Sequence, residues 1–484
     1  MTTRFSIALL GATAALLVAG QALAFPDCPD DVACTEYKGS AKNGSHFRVT
    51  IPADWDGDLV IINHGFDLDR YSIRPHETCR QGGPAVPCQQ DSDCPGTTCN
   101  NISYFGMEDL LLPMGKAVAA STYSETGWAV FDSRKDLKEI LTFMKKQPGI
   151  GRPERVIVTG FSLGGAVTAD AVLRTKIDGA VPLCGAVGGG VQTWDTAMEV
   201  RLVYDFLCDG VEGAAFASQA DLGVATTVDS DDDAIQMAIR VNKCFGVPAA
   251  LGPADDPEEA QAQADRLAAF YEMTNFSGTS EEVVIAMGFA TLGLGDFVRD
   301  EDRLGGKRIG WNADPDLDYT DLGDNPVLAA QYDAEVARLP RGPGRARLAK
   351  ATLIDFTKGK GKAVDYPILS MAGSADWLVI PEFQKIFTDA AALGGKLVTQ
   401  TWISTYGHCV FSQEETAAIL LEYFDWLDSA DHAASQPTEN DIAARCVAEG
   451  GVEGDTCNFN LGYVAAELHD RIPPRLDWVP AAQP

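Results

Sequence analysis

The chain has 484 residues, of which 46% are hydrophobic and 22% are charged. This composition is typical of a globular protein with ample material for a core, and it excludes a mainly disordered or collagen-like chain. The 38 basic and 69 acidic residues give a net charge of −31, which repels phosphate backbones and anionic membrane surfaces, so nucleic-acid binding is not expected.

The N-terminus has the pattern of an export signal. Arg4 precedes an almost unbroken apolar run from Phe5 to Gly20, and Ala22-Leu23-Ala24 has the small-x-small form of a signal-peptidase site. We therefore predict a signal peptide over residues 1–24 and a secreted or periplasmic mature chain. A membrane anchor is the alternative interpretation, but the run is short for a spanning helix and no later segment is apolar enough, so no stable membrane anchor is expected.

The chain has twelve cysteines, and an exported protein can oxidise them to disulfides. Cys28–Cys34 and Cys446–Cys457 are the preferred local pairs. Four more cysteines crowd a polar loop at about residues 76–101. Their irregular spacing, with no histidine between them, favours disulfides over a zinc site, and the pairing within this group stays open. The four are Cys79, Cys88, Cys94 and Cys99.

The first part of the chain alternates between two patterns. Short apolar runs bounded by glycine or polar residues predict strands, and segments with apolar side chains at helical spacing predict helices. This alternation predicts an α/β fold with a mostly parallel sheet, covered by helices on both faces. The predicted strands are 59–63, 116–122, 155–159 and 179–184, and the predicted helices between them are 129–146 and 166–174.

The alternation of strand and helix patterns stops after about residue 190 and resumes near residue 361. The intervening segment is rich in helix and loop signals and includes an amphipathic stretch at 258–273. Strand patterns then return at 366–372 and 396–403, before a closing helix at 414–427. The predicted organisation is therefore a core, an inserted helical cap that covers the substrate pocket, the rest of the core, and a tail that contains two cysteines. These four parts are predicted at 25–190, 191–360, 361–430 and 431–484.

The most informative motif is Gly160-Phe161-Ser162-Leu163-Gly164, which has the form G-x-S-x-G. The five residues alone are a weak signal, because chance supplies roughly 0.2 matches in a chain of this length. Their position between a predicted strand and a predicted helix is the stronger observation. Glycines there permit a sharp turn that exposes the serine hydroxyl above the start of the helix. Ser162 is therefore the predicted nucleophile.

A serine hydroxyl needs a base, and the base needs an orienting acid. Among six histidines, His408 follows the last predicted strand in a loop that also contains Gly407, and it is the predicted base. Asp376 follows the preceding strand through a tight glycine turn and is the predicted acid. The alternatives for the acid are Asp365 and Asp205.

Acyl transfer develops an oxyanion, which requires N–H donors in fixed positions. One predicted donor is the amide of Leu163, next after the nucleophile. The second is expected in the loop after the early strand, at the amide of Phe66, with Asp67 as the alternative. His64 lies in the same loop, and its place before Gly65 favours a role in shaping the loop over a role as base.

The chain order serine, aspartate, histidine is that of the α/β-hydrolases. The His64-Gly65 loop, the elbow around Ser162 and the pair formed by Asp376 and His408 resemble this superfamily, and more narrowly secreted bacterial serine hydrolases with a large lid inserted late in the sheet. The resemblance implies an α/β-hydrolase fold with a mainly helical inserted cap. It covers about 250 residues, and the insertion, the cysteine-rich loop and the tail lie outside it.

The dipeptide His408-Cys409 is also similar to a feature of tannase and feruloyl-esterase-like enzymes. In those enzymes a cysteine before the nucleophile bonds the cysteine that follows the histidine. This chain has Phe161 in the first position, so that bond is absent. Cys184, at the end of the strand after the elbow, is then one possible partner for Cys409.

These features predict a secreted serine hydrolase that cleaves a small or polymeric carboxylic ester. A peptidase of the prolyl-oligopeptidase kind, an acyltransferase, and a non-catalytic binding protein on the same scaffold are the alternatives. No cofactor or metal is expected, because no P-loop, dinucleotide motif or metalloprotease helix is present. Asp314-x-Asp316-x-Asp318 is similar to a calcium loop but has Tyr319 at the turn glycine, so a solvated acidic loop is favoured.

Overall fold

The computed structural model describes residues 28–29, 32–66, 94, 102, 104–147, 150–216, 231–295, 307–352 and 366–474. The predicted signal peptide, the cysteine-rich loop apart from Cys94, and the alternative site residues Asp67 and Asp365 lie outside these ranges. Within them, the chain forms two compact units. One comprises residues 28–189 and 366–465, and the other comprises 190–352 and 466–474.

The first unit is built on an eight-stranded sheet. Its strands are β1 (Cys34–Ser40), β2 (His46–Pro52), β3 (Asp58–Asn63), β4 (Ala117–Ser121), β5 (Arg155–Phe161), β6 (Gly179–Leu183), β7 (Ile368–Ala375) and β8 (Val398–Tyr406). Its helices are α1 (Glu108–Leu111), α2 (Ser133–Lys146), α3 (Leu163–Arg174), α10 (Pro381–Leu393), α11 (Gln413–Leu427) and α12 (Glu439–Ala448).

The strand order is β1-β2-β4-β3-β5-β6-β7-β8. β2 pairs antiparallel with both β1 and β4, and every other neighbouring pair is parallel. The mostly parallel sheet agrees with the fold class predicted from sequence. Because parallel strands end at the same edge, the loops after β3, β5, β7 and β8 lie at one edge of the sheet.

The alternation of side chains along β3 explains why its apolar run is continuous. Leu59 and Ile61 pack with α2, α3 and α10 on one face of the sheet, whereas Val60 and Ile62 pack with α11 on the other. All four side chains are buried. A strand covered on both faces needs apolar residues at every position, which is the pattern that the sequence shows.

The second unit is helical, and no strand occurs among its described residues. Its helices are α4 (Gly190–Leu207), α5 (Asp231–Phe245), α6 (Pro257–Thr274), α7 (Ser280–Gly288), α8 (Pro326–Glu335) and α9 (Arg345–Thr352). Arg345 is fully buried and donates two hydrogen bonds to Asp195 at 2.6 and 2.7 Å. Such a pair is tolerated in a core because each charge satisfies the other.

The C-terminal segment, predicted as a polar tail, contains ordered structure. Thr438 and Asp441 form a capping box at the start of α12, and Phe459 bridges to Ile403 of β8. Arg471 donates to the carbonyl oxygens of Thr274 and Asn275 within the helical unit. No helix in the described part of the chain is both long and apolar enough to cross a membrane.

Candidate active site

Ser162 lies on the sharp turn between β5 and α3. Its backbone has φ 55° and ψ −117°, a conformation that costs energy for a residue with a side chain and that is common at functional turns. The turn is held by hydrogen bonds from Ser162 N–H to Leu183 O at 3.1 Å and from Ala186 N–H to Ser162 O at 3.3 Å. The serine is partly exposed at this edge of the sheet.

Glycines around the serine permit unusually close backbone contacts. A methyl group at Gly160 would lie 2.7 Å from the Cβ of Asn63, and one at Gly165 would lie 3.0 Å from the Leu183 carbonyl oxygen. The elbow can therefore approach the neighbouring strands only because these positions lack side chains. Together, the mostly parallel sheet with an antiparallel second strand and a serine on the turn after β5 are characteristic of one fold. This chain has the α/β-hydrolase fold.

The structure brings Ser162, His408 and Asp376 together in one hydrogen-bonded row. His408 Nε2 lies 2.8 Å from Ser162 Oγ, and His408 Nδ1 lies 2.7 Å from Asp376 Oδ2. The serine and the histidine are 246 residues apart in the sequence. The aspartate side chain is fully buried and the histidine side chain is 6% exposed. The contact between His408 and Asp376 is therefore largely shielded from water.

The carboxylate of Asp376 is fixed by backbone N–H groups of the residues that follow it. Its Oδ1 accepts the N–H groups of Leu378 at 3.0 Å and Val379 at 2.9 Å. These bonds leave Oδ2 directed at the imidazole. Fixing both oxygens holds the imidazole at one orientation relative to Ser162 Oγ.

The loop that presents His408 is anchored by a disulfide. Cys409 bonds Cys184, the residue after β6, across 225 residues of sequence, so the possible pairing named above is the one the structure contains. Gly407 has φ 111°, and Thr405 Oγ1 donates to the Val410 carbonyl oxygen at 2.6 Å. Cys409 Sγ lies 3.4 Å from His408 Nε2, so the disulfide is adjacent to the imidazole itself.

The two predicted oxyanion donors lie on neighbouring elements. Leu163 is the first residue of α3, where a backbone N–H has no acceptor within its own helix. Phe66 is the last described residue of the loop after β3, which we call the 63–66 loop. Asn63 Nδ2 anchors the start of this loop by donating to the Thr159 carbonyl oxygen at 3.0 Å.

Two other residues considered above have partners outside the row from Ser162 to Asp376. Asp205 is on α4 and pairs with Arg201 at 2.9 Å, and burial raises its pKa. His64 stacks on Tyr123 with ring centroids 4.1 Å apart. Tyr123 was not predicted to be near the site, because a tyrosine in Ser-Thr-Tyr-Ser carries no motif; its φ of 55° becomes visible only in the structure.

Four disulfides join pairs of described cysteines, including Cys184–Cys409. Both preferred local pairs, Cys28–Cys34 and Cys446–Cys457, are present. Cys208–Cys244 joins α5 to the residue after α4 and was not predicted. No group of three or more His, Cys, Asp or Glu side chains within the described ranges is arranged to hold a metal ion.

No protein-family model matches the chain, and no curated protein sequence matches it significantly. Similar solved structures include an acylaminoacyl peptidase of Pyrococcus horikoshii (10% identity, TM-score 0.39, 84% of this chain and 44% of that one). They also include an esterase of Pyrococcus furiosus (11% identity, TM-score 0.38, 81% of this chain and 91% of that one). A third is feruloyl esterase B of Aspergillus oryzae (11% identity, TM-score 0.40, 81% of this chain and 80% of that one). The chain spans less than half the length of the acylaminoacyl peptidases. At these identities and TM-scores the matches carry no weight for the substrate.

Proposed function

We propose that the chain is a serine hydrolase that cleaves carboxylic esters through an acyl-enzyme. The observation that supports this most is the row from Ser162 Oγ through His408 to Asp376, with both contacts at 2.7–2.8 Å. A nucleophile, a base within reach of its proton and an acid behind the base are what acyl transfer requires. The strained backbone of Ser162 supports the same assignment.

In the proposed reaction, Ser162 Oγ attacks the acyl carbon while His408 Nε2 takes its proton. Asp376 accepts the Nδ1–H, fixes that tautomer and stabilises the imidazolium. The amides of Leu163 and Phe66 donate to the oxyanion, and the N-terminus of α3 favours its charge. His408 then protonates the departing alcohol, and a water activated by the same nitrogen releases the acid.

An ester is the proposed substrate class because an alcohol departs more readily than an amine. A site that provides a nucleophile, a base, an acid and oxyanion donors therefore cleaves an ester with a lower activation free energy than a peptide bond. The same row would serve a peptidase or an acyltransferase, and the substrate proposed here is a small or polymeric ester.

We also propose that the mature protein acts outside the cytoplasm, as a secreted or periplasmic enzyme. The four disulfides among the described residues support an oxidising compartment. N-terminal sequencing of the exported protein is expected to begin at Phe25. Retention of residues 1–24 would contradict the predicted cleavage.

The test compares the wild type with Ser162→Ala on p-nitrophenyl butyrate and on the matched p-nitroanilide. We expect the wild type to hydrolyse the ester and the variant to lose at least about 10⁴-fold in kcat, with little change in Tm. A fluorophosphonate should modify Ser162 of the wild type, as detected by peptide mass spectrometry.

The matched control is Ser429→Ala, which removes a serine hydroxyl that donates to the Trp426 carbonyl oxygen, at the end of α11. It should keep full activity. Turnover by Ser162→Ala would overturn the proposal. Faster cleavage of the anilide than of the ester would replace the esterase with the peptidase.

A further inference from the structure

The segment after β4 contains a buried tyrosine in an unusual backbone conformation. Tyr123 has φ 55° and is 2% exposed. A positive φ on a bulky residue is rare and persists only where surrounding contacts hold it. Tyr123 lies directly beside the 63–66 loop and contacts His64 within it.

Tyr123 contacts one residue of that loop in two ways. Its ring stacks on the imidazole of His64, with the planes 30° apart. Its hydroxyl donates to the backbone carbonyl oxygen of His64 at 2.9 Å. The stack fixes the side chain and the hydrogen bond fixes the peptide plane, so the backbone leading to Phe66 has little freedom to rotate.

The elbow also packs closely against the same loop. A methyl group at Gly164 would lie 2.9 Å from the His64 carbonyl oxygen and against that of Asn63. The 63–66 loop is therefore held by two contacts, the close packing against the first turn of α3 and the hydrogen bond from Tyr123.

Tyr123 is itself fixed by its neighbours. Its N–H donates to Ser121 Oγ at 3.2 Å, and the N–H of Ser124 donates to the buried carboxyl of Asp136 at 3.1 Å. Support thus passes from the core helix α2, through the segment after β4, to the loop that carries a proposed oxyanion donor.

We infer that Tyr123 is a positioning residue that holds the 63–66 loop so that the Phe66 amide meets the oxyanion. The inference rests on the proposed serine-hydrolase function. In this role Tyr123 acts through its two contacts with His64. Since a misplaced donor weakens binding of the transition state more than binding of the ester, the expected signature is a lower kcat at nearly constant KM.

The test uses Tyr123→Phe, which keeps the stacked ring and removes only the hydroxyl. We expect kcat to fall about tenfold, the size associated with one hydrogen bond, while KM changes less than twofold. The inhibition constant of a trifluoromethyl ketone, which forms an oxyanion with Ser162, should rise by the same factor. Hydrogen exchange in a peptide spanning 59–66 should become faster, a readout that does not depend on turnover.

The matched control is Tyr104→Phe. Tyr104 is also buried in the sheet unit and its hydroxyl pairs with Thr50 Oγ1 at 3.0 Å. This control should change Tm without changing kcat or the ketone constant. Tyr123→Leu, which removes the stack as well, should lower kcat further.

Unchanged kcat and unchanged exchange in Tyr123→Phe would overturn the inference. Equal losses in Tyr123→Phe and Tyr104→Phe would overturn it too, because they would reflect stability alone. Absence of wild-type hydrolysis would instead count against the proposed function. The exchange comparison would then still decide whether Tyr123 holds the loop.

Discussion

Two loops at the same sheet edge carry groups of the candidate site, and they are held in different ways. The loop after β8, which presents His408, is joined to the end of β6 by the Cys184–Cys409 disulfide. The 63–66 loop is held by close backbone packing against Gly164 and by the ring and hydroxyl of Tyr123. One loop is fixed by a covalent bond, and the other by close packing and a hydrogen bond.

The difference follows from where each loop sits in the chain. His408 must meet a serine 246 residues away, and the helical unit lies between them in the sequence, so chain connectivity does little to hold it. The 63–66 loop follows β3, which pairs directly with β5, the strand that ends just before Ser162. Its position is largely set by the sheet, and only its last residues need further support.

Among changes to the two loops, the largest expected loss of kcat comes from a substitution at Gly164 that displaces the 63–66 loop. Gly164→Ala adds a methyl group against the carbonyl oxygens of Asn63 and His64, so the loop must move away. Loss of one oxyanion donor costs about 10²–10³ in kcat, and overpacking costs about 1–3 kcal/mol of unfolding free energy. Ester hydrolysis and urea unfolding measure the two effects.

Gly288→Ala is the matched control for this substitution. Gly288 is the last residue of α7 in the helical unit, and its added methyl group meets only the flexible end of Met237 at 3.3 Å. The control should keep wild-type kcat. A Gly164→Ala variant with wild-type kcat would show that the 63–66 loop does not need this close contact.

Removing the Cys184–Cys409 disulfide should cause the next largest loss of kcat. Replacing Cys184 and Cys409 together by serine frees the His408 loop, and a displacement of about 1 Å costs up to roughly 10²-fold in rate. We expect kcat to fall about 10–100-fold. The 225-residue separation also implies a stability loss of about 5 kcal/mol in the chain-entropy account.

The paired serine variant of Cys446 and Cys457 separates these effects. That bridge lies in the same unit and closes 11 residues, so its removal should cost about 3 kcal/mol of stability and leave kcat unchanged. If the variant lacking Cys184 and Cys409 also kept its kcat while its Tm fell, the bond would serve stability alone and not the placement of His408.

Much of the sheet could be predicted because central strands are covered on both faces. The runs in β3, β5 and β6 are nearly continuous in apolar residues. The outer strands β1 and β2 were missed for a physical reason. β1 lies at the edge and is half exposed, and β2 buries Arg48 and Thr50, which are satisfied by Glu36 and Tyr104. Buried polar residues with partners elsewhere in the chain remove the apolar signal.

The same distinction applies to the site. Ser162, Asp376 and His408 could be named because each follows a strand and has a recognisable residue type, and the structure places them in contact. Tyr123 could not be named, since its role depends on a backbone angle and on a contact with His64. The residues proposed to react are of types and positions that leave a pattern in the sequence, whereas the residue proposed to support them is not.

The smallest expected effect on kcat concerns Asp136, whose carboxyl accepts the N–H of Ser124 next to Tyr123. Burial raises the pKa of this carboxyl from its ordinary value of 3.8 to about 6, with the charge of Asp132 adding to the rise. Its folded-state pKa lies above its unfolded value, so its contribution to stability is present below about pH 4 and is lost as the pH rises through 6. The full span corresponds to roughly 3 kcal/mol.

Asp136→Asn removes this titration while leaving an oxygen that can accept the N–H of Ser124. We therefore expect the variant to lose less unfolding free energy than the wild type between pH 4.5 and 7.5, as measured by urea denaturation at several pH values. Equal pH slopes in the two proteins would contradict the raised pKa of Asp136. At pH 7.5 the variant should also keep the kcat of the wild type. The proposed support of the 63–66 loop needs an oxygen that accepts the Ser124 N–H, and it does not need the negative charge of Asp136.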